Sequence, residues 1–242
     1  MNSFDIDSLL RFNPPEYLCE RCLALLGDGT PRCPVCGVQY VVTDTFPDYG
    51  TYLAARGLGV HFHNLMEHSQ RLARIAHNAR ETLASPDPEY PPMRALFEAL
   101  LSAERFVHFT TYGISALLLG ALKMAALRVD IRGVVSGIKH DNMYRELTEY
   151  EEESPRFNVR LFQNESQYFP HQKIIVIDGL MAFKGSANLT DFGWRKAAQG
   201  REVIEVVTDV AEVVELHNRF FSPVWAAFEP ATNGQKILMT AY

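Results

Sequence analysis

The sequence predicts an α/β protein, a mixed β-sheet flanked by helices, preceded by a small cysteine-rich module. Three observations carry that expectation. Strand-like and helix-like periodicities alternate from residue 92 onward. An Asp-Gly pair divides two apolar runs in HQKIIVIDGLMAFKGSAN, residues 171–188. All four cysteines fall within residues 19–36. The chain has 242 residues, 47% hydrophobic and 21% charged, enough for one domain of about 150 residues plus a smaller module. Its net charge of −6 argues against non-specific coating of duplex DNA, so any nucleic-acid contact needs a local basic patch or a partner. No apolar run approaches the ~18 to 20 residues that cross a bilayer. The N-terminal MNSFDIDSLL carries aspartates where a signal peptide carries basic residues, which points to a cytoplasmic protein without a membrane partner.

Taken in order, residues 1–45 hold the cysteines as CERC and CPVCG. A disulfide scaffold is the competing reading, but it belongs to secreted chains. Two CxxC pairs match a tetrahedral structural zinc site with Cys19, Cys22, Cys33 and Cys36 as ligands, Pro34 and Gly37 supplying the turn. The module looks like a zinc ribbon, with Val38–Val42 as its outer strand, and the motif leaves open whether it binds nucleic acid or protein. Residues 46–90 read as a helical linker, apolar at Leu65, Leu72, Ile75, Ala76, Ala79 and Leu83. His61, His63 and His68 lie along its entrance and are weighed against a second metal site. SPDPEYPP, residues 85–92, is the domain boundary. Residues 91–242 then alternate: helix MRALFEALLSA, strand RFVHFTTYGI, helix SALLLGALKMAAL capped by Ser115, strand VDIRGVVSG, helix DNMYRELTEYEEE and strand VRLF. The hairpin follows, then a polar loop, the strand EVIEVVTD and a closing helix from Asp209.

Asp178-Gly179 predicts a two-residue type I′ turn, because both residues tolerate positive φ. That register sets Ile177 opposite Leu180 and His171 opposite Ser186. His171, Lys173, Ser186 and Asn188 then share one face at the open end of the hairpin. Asp178 is seven residues away, roughly 23 Å, and serves the turn. Lys184 lands beside Lys173, an arrangement that calls for an anion nearby or a bulge at Gly185.

The pattern H-x-K, four residues, D, six residues, G-S-x-N resembles the HKD signature of the phospholipase D superfamily, and it is complete from His171 to Asn188. The resemblance spans about residues 92–228. It implies a phospholipase D-like mixed sheet and metal-independent phosphodiester chemistry through a phosphohistidine, with His171 as nucleophile. Lys173 and Asn188 would hold the non-bridging oxygens with help from Ser186. A following carboxylate would orient the histidine, Glu202 ahead of Glu205. Alternation puts those two glutamates on opposite faces. Lys184, Arg195 and Lys196 are candidate substrate contacts.

The family builds one site from two motifs, and this chain has one. A homodimer sharing the site is therefore expected. The substrate reading is a nuclease, DNA ahead of RNA, in a bacterial restriction or phage-defence system that brings further protein partners. The alternatives are a phospholipase or phosphatidyltransferase, and a non-catalytic nucleic-acid-binding or scaffold subunit.

Overall fold

The computed structural model describes residues 18–19, 21–25, 32–38, 62–85, 87–136, 141–161 and 173–227. Its elements are α1 (Phe62–Ala84), α2 (Pro92–Ser102), β1 (Phe106–Thr111), α3 (Ala116–Ala126), β2 (Asp130–Val135), α4 (Asp141–Glu153) and β3 (Phe157–Leu161). Then come β4 (Lys173–Ile177), β5 (Met181–Gly185), α5 (Asp191–Ala198), β6 (Ile204–Val207) and α6 (Val210–Leu216). The last helix continues through a π-helical turn (His217–Phe221) into α7 (Ser222–Ala226). The strands form one sheet in the order β3-β2-β1-β4-β5-β6. β1, β2 and β3 run parallel, whereas β4, β5 and β6 each pair antiparallel with the preceding neighbour. The expected mixed sheet flanked by helices is what the chain forms.

Strand alternation sends two sets of side chains to two cores. Val107, Phe109, Ile131, Ile175, Ile177 and Phe183 pack with Leu72, Leu96, Leu100, Leu118 and Leu122 of α1, α2 and α3. Phe106, Val134, Ile174, Val176 and Ala182 pack on the opposite side with Val213, Leu216, Phe221, Val224 and Trp225. Burial on both faces is why β4 reads as an unbroken apolar run. Gly133 of β2 is demanded by packing: a Cβ there would lie 2.1 Å from the Phe109 ring.

Three expectations change. The stretch read as a linker contributes α1, whose Leu72, Ile75, Ala76 and Ala79 belong to the same core as the sheet. Arg80 also donates from Nε and Nη2 to the Val206 carbonyl. The polar loop after the hairpin is helix α5. Thr190 caps it by accepting from Gly193 N–H, Asp191 occupies its first turn, and Arg195 and Lys196 occupy its last. Ser115 precedes α3, yet its hydroxyl caps nothing in that helix and accepts from Asp191 N–H at 3.2 Å. Among the histidines, His61 lies outside the described residues. His68 is buried on α1 with Nε2 2.7 Å from Asp178 Oδ2, so a carboxylate partner occupies it.

The cysteine module sits on the sheet's second face. Leu18 and Leu25 bridge antiparallel. Cys19 N–H donates to Ala24 and Cys33 N–H to Val38, forming two similar knuckles. Leu23 (φ 57) and Gly37 (φ 71) take the left-handed conformation that turns each knuckle. The remainder of the predicted outer strand, residues 39–42, lies outside the described residues.

Candidate active site

The hairpin keeps its predicted turn and changes its register. Asp178 (φ 53) and Gly179 (φ 71) have the positive angles of a type I′ turn, closed by Leu180 N–H donating to Ile177. The ladder nevertheless resumes with Ile177 opposite Met181, so Leu180 is an extra residue. One residue reverses faces. Lys173 now lies opposite Gly185, and Lys184 lies opposite Ile174 on the other side of the sheet. The expected Lys173–Lys184 neighbourhood is therefore absent. Lys184 Nζ instead sits 2.6 Å from Glu212 and 3.1 Å from Glu205, which push its pKa up. His171 lies outside the described residues.

Asp178 does more than turn the chain. It is fully buried and accepts from the main-chain N–H groups of Glu104, Arg105 and Phe106, as well as facing His68. A turn carboxylate with that many donors pins the hairpin to the start of β1.

At the opposite end of the hairpin Ser186 meets Glu202, while Lys173 and Asn188 each meet Tyr112 just past the end of β1. Ser186 Oγ donates to Glu202 Oε2 at 2.5 Å and accepts from Val203 N–H at 3.0 Å. The main chains come together here because residue 185 is glycine: a Cβ on it would meet the Val203 carbonyl oxygen at 2.0 Å. Lys173 is half-buried, and burial lowers its pKa against the opposing pull of the Glu202 carboxylate. Its ammonium lies 4.5 Å from the centre of the Tyr112 ring. Asn188 Oδ1 accepts from Tyr112 N–H at 3.1 Å. Glu205, the fallback carboxylate, is exposed and engaged with Lys184 on the other face. Arg195 is exposed and pairs with Asp191 at 2.6 Å, and Lys196 Nζ lies over the Phe192 ring at 4.4 Å. Both belong to α5, which leads into Glu202 through the turn at Gly200.

Thr111 and Tyr112 were missed in the sequence. Nothing local marks them: Thr111 ends and Tyr112 follows an ordinary strand about sixty residues before the hairpin. Only the pairing of β1 with β4, Thr110 opposite Ile174, brings them alongside Lys173.

Away from this cluster, the four cysteine sulfurs lie within 4.8 Å of one another, with Cys19–Cys36 and Cys22–Cys33 each at 3.6 Å. Metal–sulfur bonds of about 2.3 Å in a tetrahedron set its edges near 3.8 Å, so the set fits a four-thiolate ion. Hydrogen bonding to Cys19 and burial raise the pKa of Cys22, and burial raises that of Cys36. A cluster of that kind holds its protons until a cation displaces them. The residues fit a metal centre with no position left open for water.

The sequence profile described as "Cardiolipin synthase, PLD-like domain" matches residues 96–225, more than half of the chain. The chain belongs to the phospholipase D-like family. Its fold is similar to Nuc from Salmonella typhimurium, a phospholipase D family member, at 22% identity and TM-score 0.41, covering 55% of this chain and 88% of that one. It is also similar to NucT from Helicobacter pylori, at 22% identity and TM-score 0.40, covering 51% and 80%. A third is phosphatidylserine synthase from Haemophilus influenzae, at 14% identity and TM-score 0.35, covering 55% and 40%. No curated protein matches the sequence.

Proposed function

We propose that the protein is a metal-independent phosphodiesterase of the nuclease kind, working through a phosphohistidine at a site shared by two subunits. The observation that supports this reading is the Ser186–Glu202 hydrogen bond beside Lys173, with Lys173 and Asn188 both against Tyr112, in a chain that supplies only one H-x-K. In the reaction His171 attacks phosphorus as neutral imidazole, a P–N bond forms, and the P–O bond to the leaving group breaks. The partner subunit's His171 gives its proton to the leaving oxygen. Water then attacks phosphorus and gives its proton to the partner subunit's His171, now neutral, the P–N bond breaks, and the phosphate monoester is released. Lys173 and the Asn188 amide stabilise the negative charge gathering on the non-bridging oxygens. Glu202 and Ser186 hold the imidazole's side of the site in place.

The polymer part of the reading rests on Arg195, Lys196 and Arg201, three cations on the short stretch that leads into Glu202. We read them as contacts for the flanking phosphates of a nucleic-acid backbone. The overall negative charge is reconciled by partner proteins in a restriction or phage-defence assembly. Zinc at the four cysteines is structural, and the location is cytoplasmic.

The test incubates the protein in EDTA with single- and double-stranded DNA, RNA and a phospholipid, beside His171→Ala. Histidine-dependent cutting of nucleic acid is expected. Headgroup release from the lipid overturns the nuclease reading, and silence on every substrate, by protein shown to have kept its cysteine-bound metal, overturns the catalytic one. Mixing His171→Ala with wild type tests the shared site: activity should fall below the simple dilution line as mixed dimers form.

A further inference from the structure

The wall of the site that faces the hairpin is the end of β1. We infer that Thr111 and Tyr112 are positioning residues for the phosphate-gripping pair, Asn188 and Lys173, an inference that rests on reading those two as phosphate ligands.

Thr111 is 1% exposed, and its hydroxyl is fully used. It accepts from Leu189 N–H at 2.9 Å and donates to the Gly113 carbonyl at 2.9 Å. One hydroxyl thus fastens the residue after Asn188 to the turn that follows β1. The Ser115 N–H adds a second tie by donating to the Leu189 carbonyl at 3.1 Å.

Tyr112 acts through both its backbone and its ring. A main-chain N–H can only donate, so the 3.1 Å contact from Tyr112 N selects the oxygen of the Asn188 amide and turns the NH2 away from β1. That NH2 is the part of asparagine able to donate to an anionic oxygen, so this bond sets the side chain in its ligand-ready orientation. The Tyr112 ring meanwhile lies 4.5 Å from the Lys173 ammonium, which its π-face attracts. Tyr112 thus contacts both Asn188 and Lys173, while Thr111 fixes the backbone next to Asn188. A long lysine otherwise loses rotamer entropy on meeting its ligand, and a support that restricts it beforehand lowers that cost.

The experiment compares full-length wild type with Thr111→Val, Thr111→Ser, Tyr112→Leu, Tyr112→Phe and Lys173→Ala. Three quantities are read for each: hydrolysis of bis(4-nitrophenyl) phosphate, binding of tungstate by calorimetry, and melting temperature. Thr111→Val should lower kcat about tenfold, the scale of one lost hydrogen bond, with Thr111→Ser restoring it. Tyr112→Leu should weaken tungstate binding and raise KM several-fold, whereas Tyr112→Phe stays near wild type because it keeps the ring. Wild-type values for Thr111→Val and Tyr112→Leu, with Lys173→Ala impaired, overturn the inference. So does a loss that follows the melting temperature alone and is shared by the conservative variants. If Lys173→Ala binds tungstate and turns over like wild type, the phosphate-ligand reading itself falls and takes the inference with it.

Discussion

Glu202 and Glu205 are three positions apart and do different work because the sheet separates them. Glu202 accepts from Ser186 and acts on the Lys173 charge, while Glu205 joins Glu212 around Lys184. Glu202→Gln should therefore lower turnover by at least about a hundredfold, the usual scale for a group that supports general acid–base work. Glu205→Gln should leave turnover within about twofold, since an exposed ion pair contributes little. A pH–rate profile separates charge from shape. Burial already lowers the Lys173 pKa, and Glu202 raises it in part. Removing the carboxylate lets the ammonium lose its proton at lower pH, so the alkaline limb of the Glu202→Gln profile should move down. An unmoved limb would show that Glu202 does not act on Lys173.

Among the elements, what could be read from the sequence was whatever depends on local pattern. The order of strands and helices, the positive φ at Asp178-Gly179 and the cysteine knuckles follow from periodicity and turn chemistry. The hairpin register did not, because Leu180 is apolar in either register and the extra residue changes no local preference; only pairing on both flanks selects it. Helix α5 is not legible because its Gly193 has the character of a loop residue, whereas in the fold it lies against the Asn188 carbonyl and accommodates no Cβ. The π-helical turn was equally hidden. It carries His217 into the second core, where Nε2 meets His108 Nδ1 at 2.8 Å and both rings are fully buried. Burial lowers both pKa values, and their proximity lowers that of His217 further. Asp130, 4.0 Å from His108, and Arg132 are the charged groups beside the pair. Folded pKa values below the unfolded ~6.5 mean that the unfolded chain takes up more protons, so stability is lost as pH falls below about 6.5. The two groups should therefore make the protein less stable at pH 5.5 than at pH 7.5. Urea midpoints at those two values should show this, and the double variant His108→Leu/His217→Leu should flatten the difference. Equal slopes for the two proteins would remove the pair as the cause.

At the scale of the whole molecule, the cysteine module behaves as a clamp on the last helix. Leu25 exchanges two hydrogen bonds with the Asn218 side chain, at 2.7 and 2.8 Å, which continues the module's backbone pairing into the π-helical turn. Ser222 Oγ donates to the Cys22 carbonyl at 2.7 Å, and Ala226 packs among Cys19, Cys22 and Cys33. Leu25 itself enters the core formed by β1, β4 and α7. A surface committed to these contacts stabilises the sheet's second face, and an ion held by the four cysteines would thereby contribute to the fold of the whole chain. Removing it with a chelator should lower the melting temperature of a single cooperative transition by roughly 5 to 10 °C, since each kcal/mol is worth about 2 to 4 °C at this size. Metal release, followed with a colorimetric indicator, should coincide with that shift. Asn218→Ala should reduce the shift by uncoupling the module from the helix, while the metal stays bound. Two separate transitions, with the sheet melting at an unchanged temperature after chelation, would instead make the module an independent appendage, and its docked surface would need another explanation.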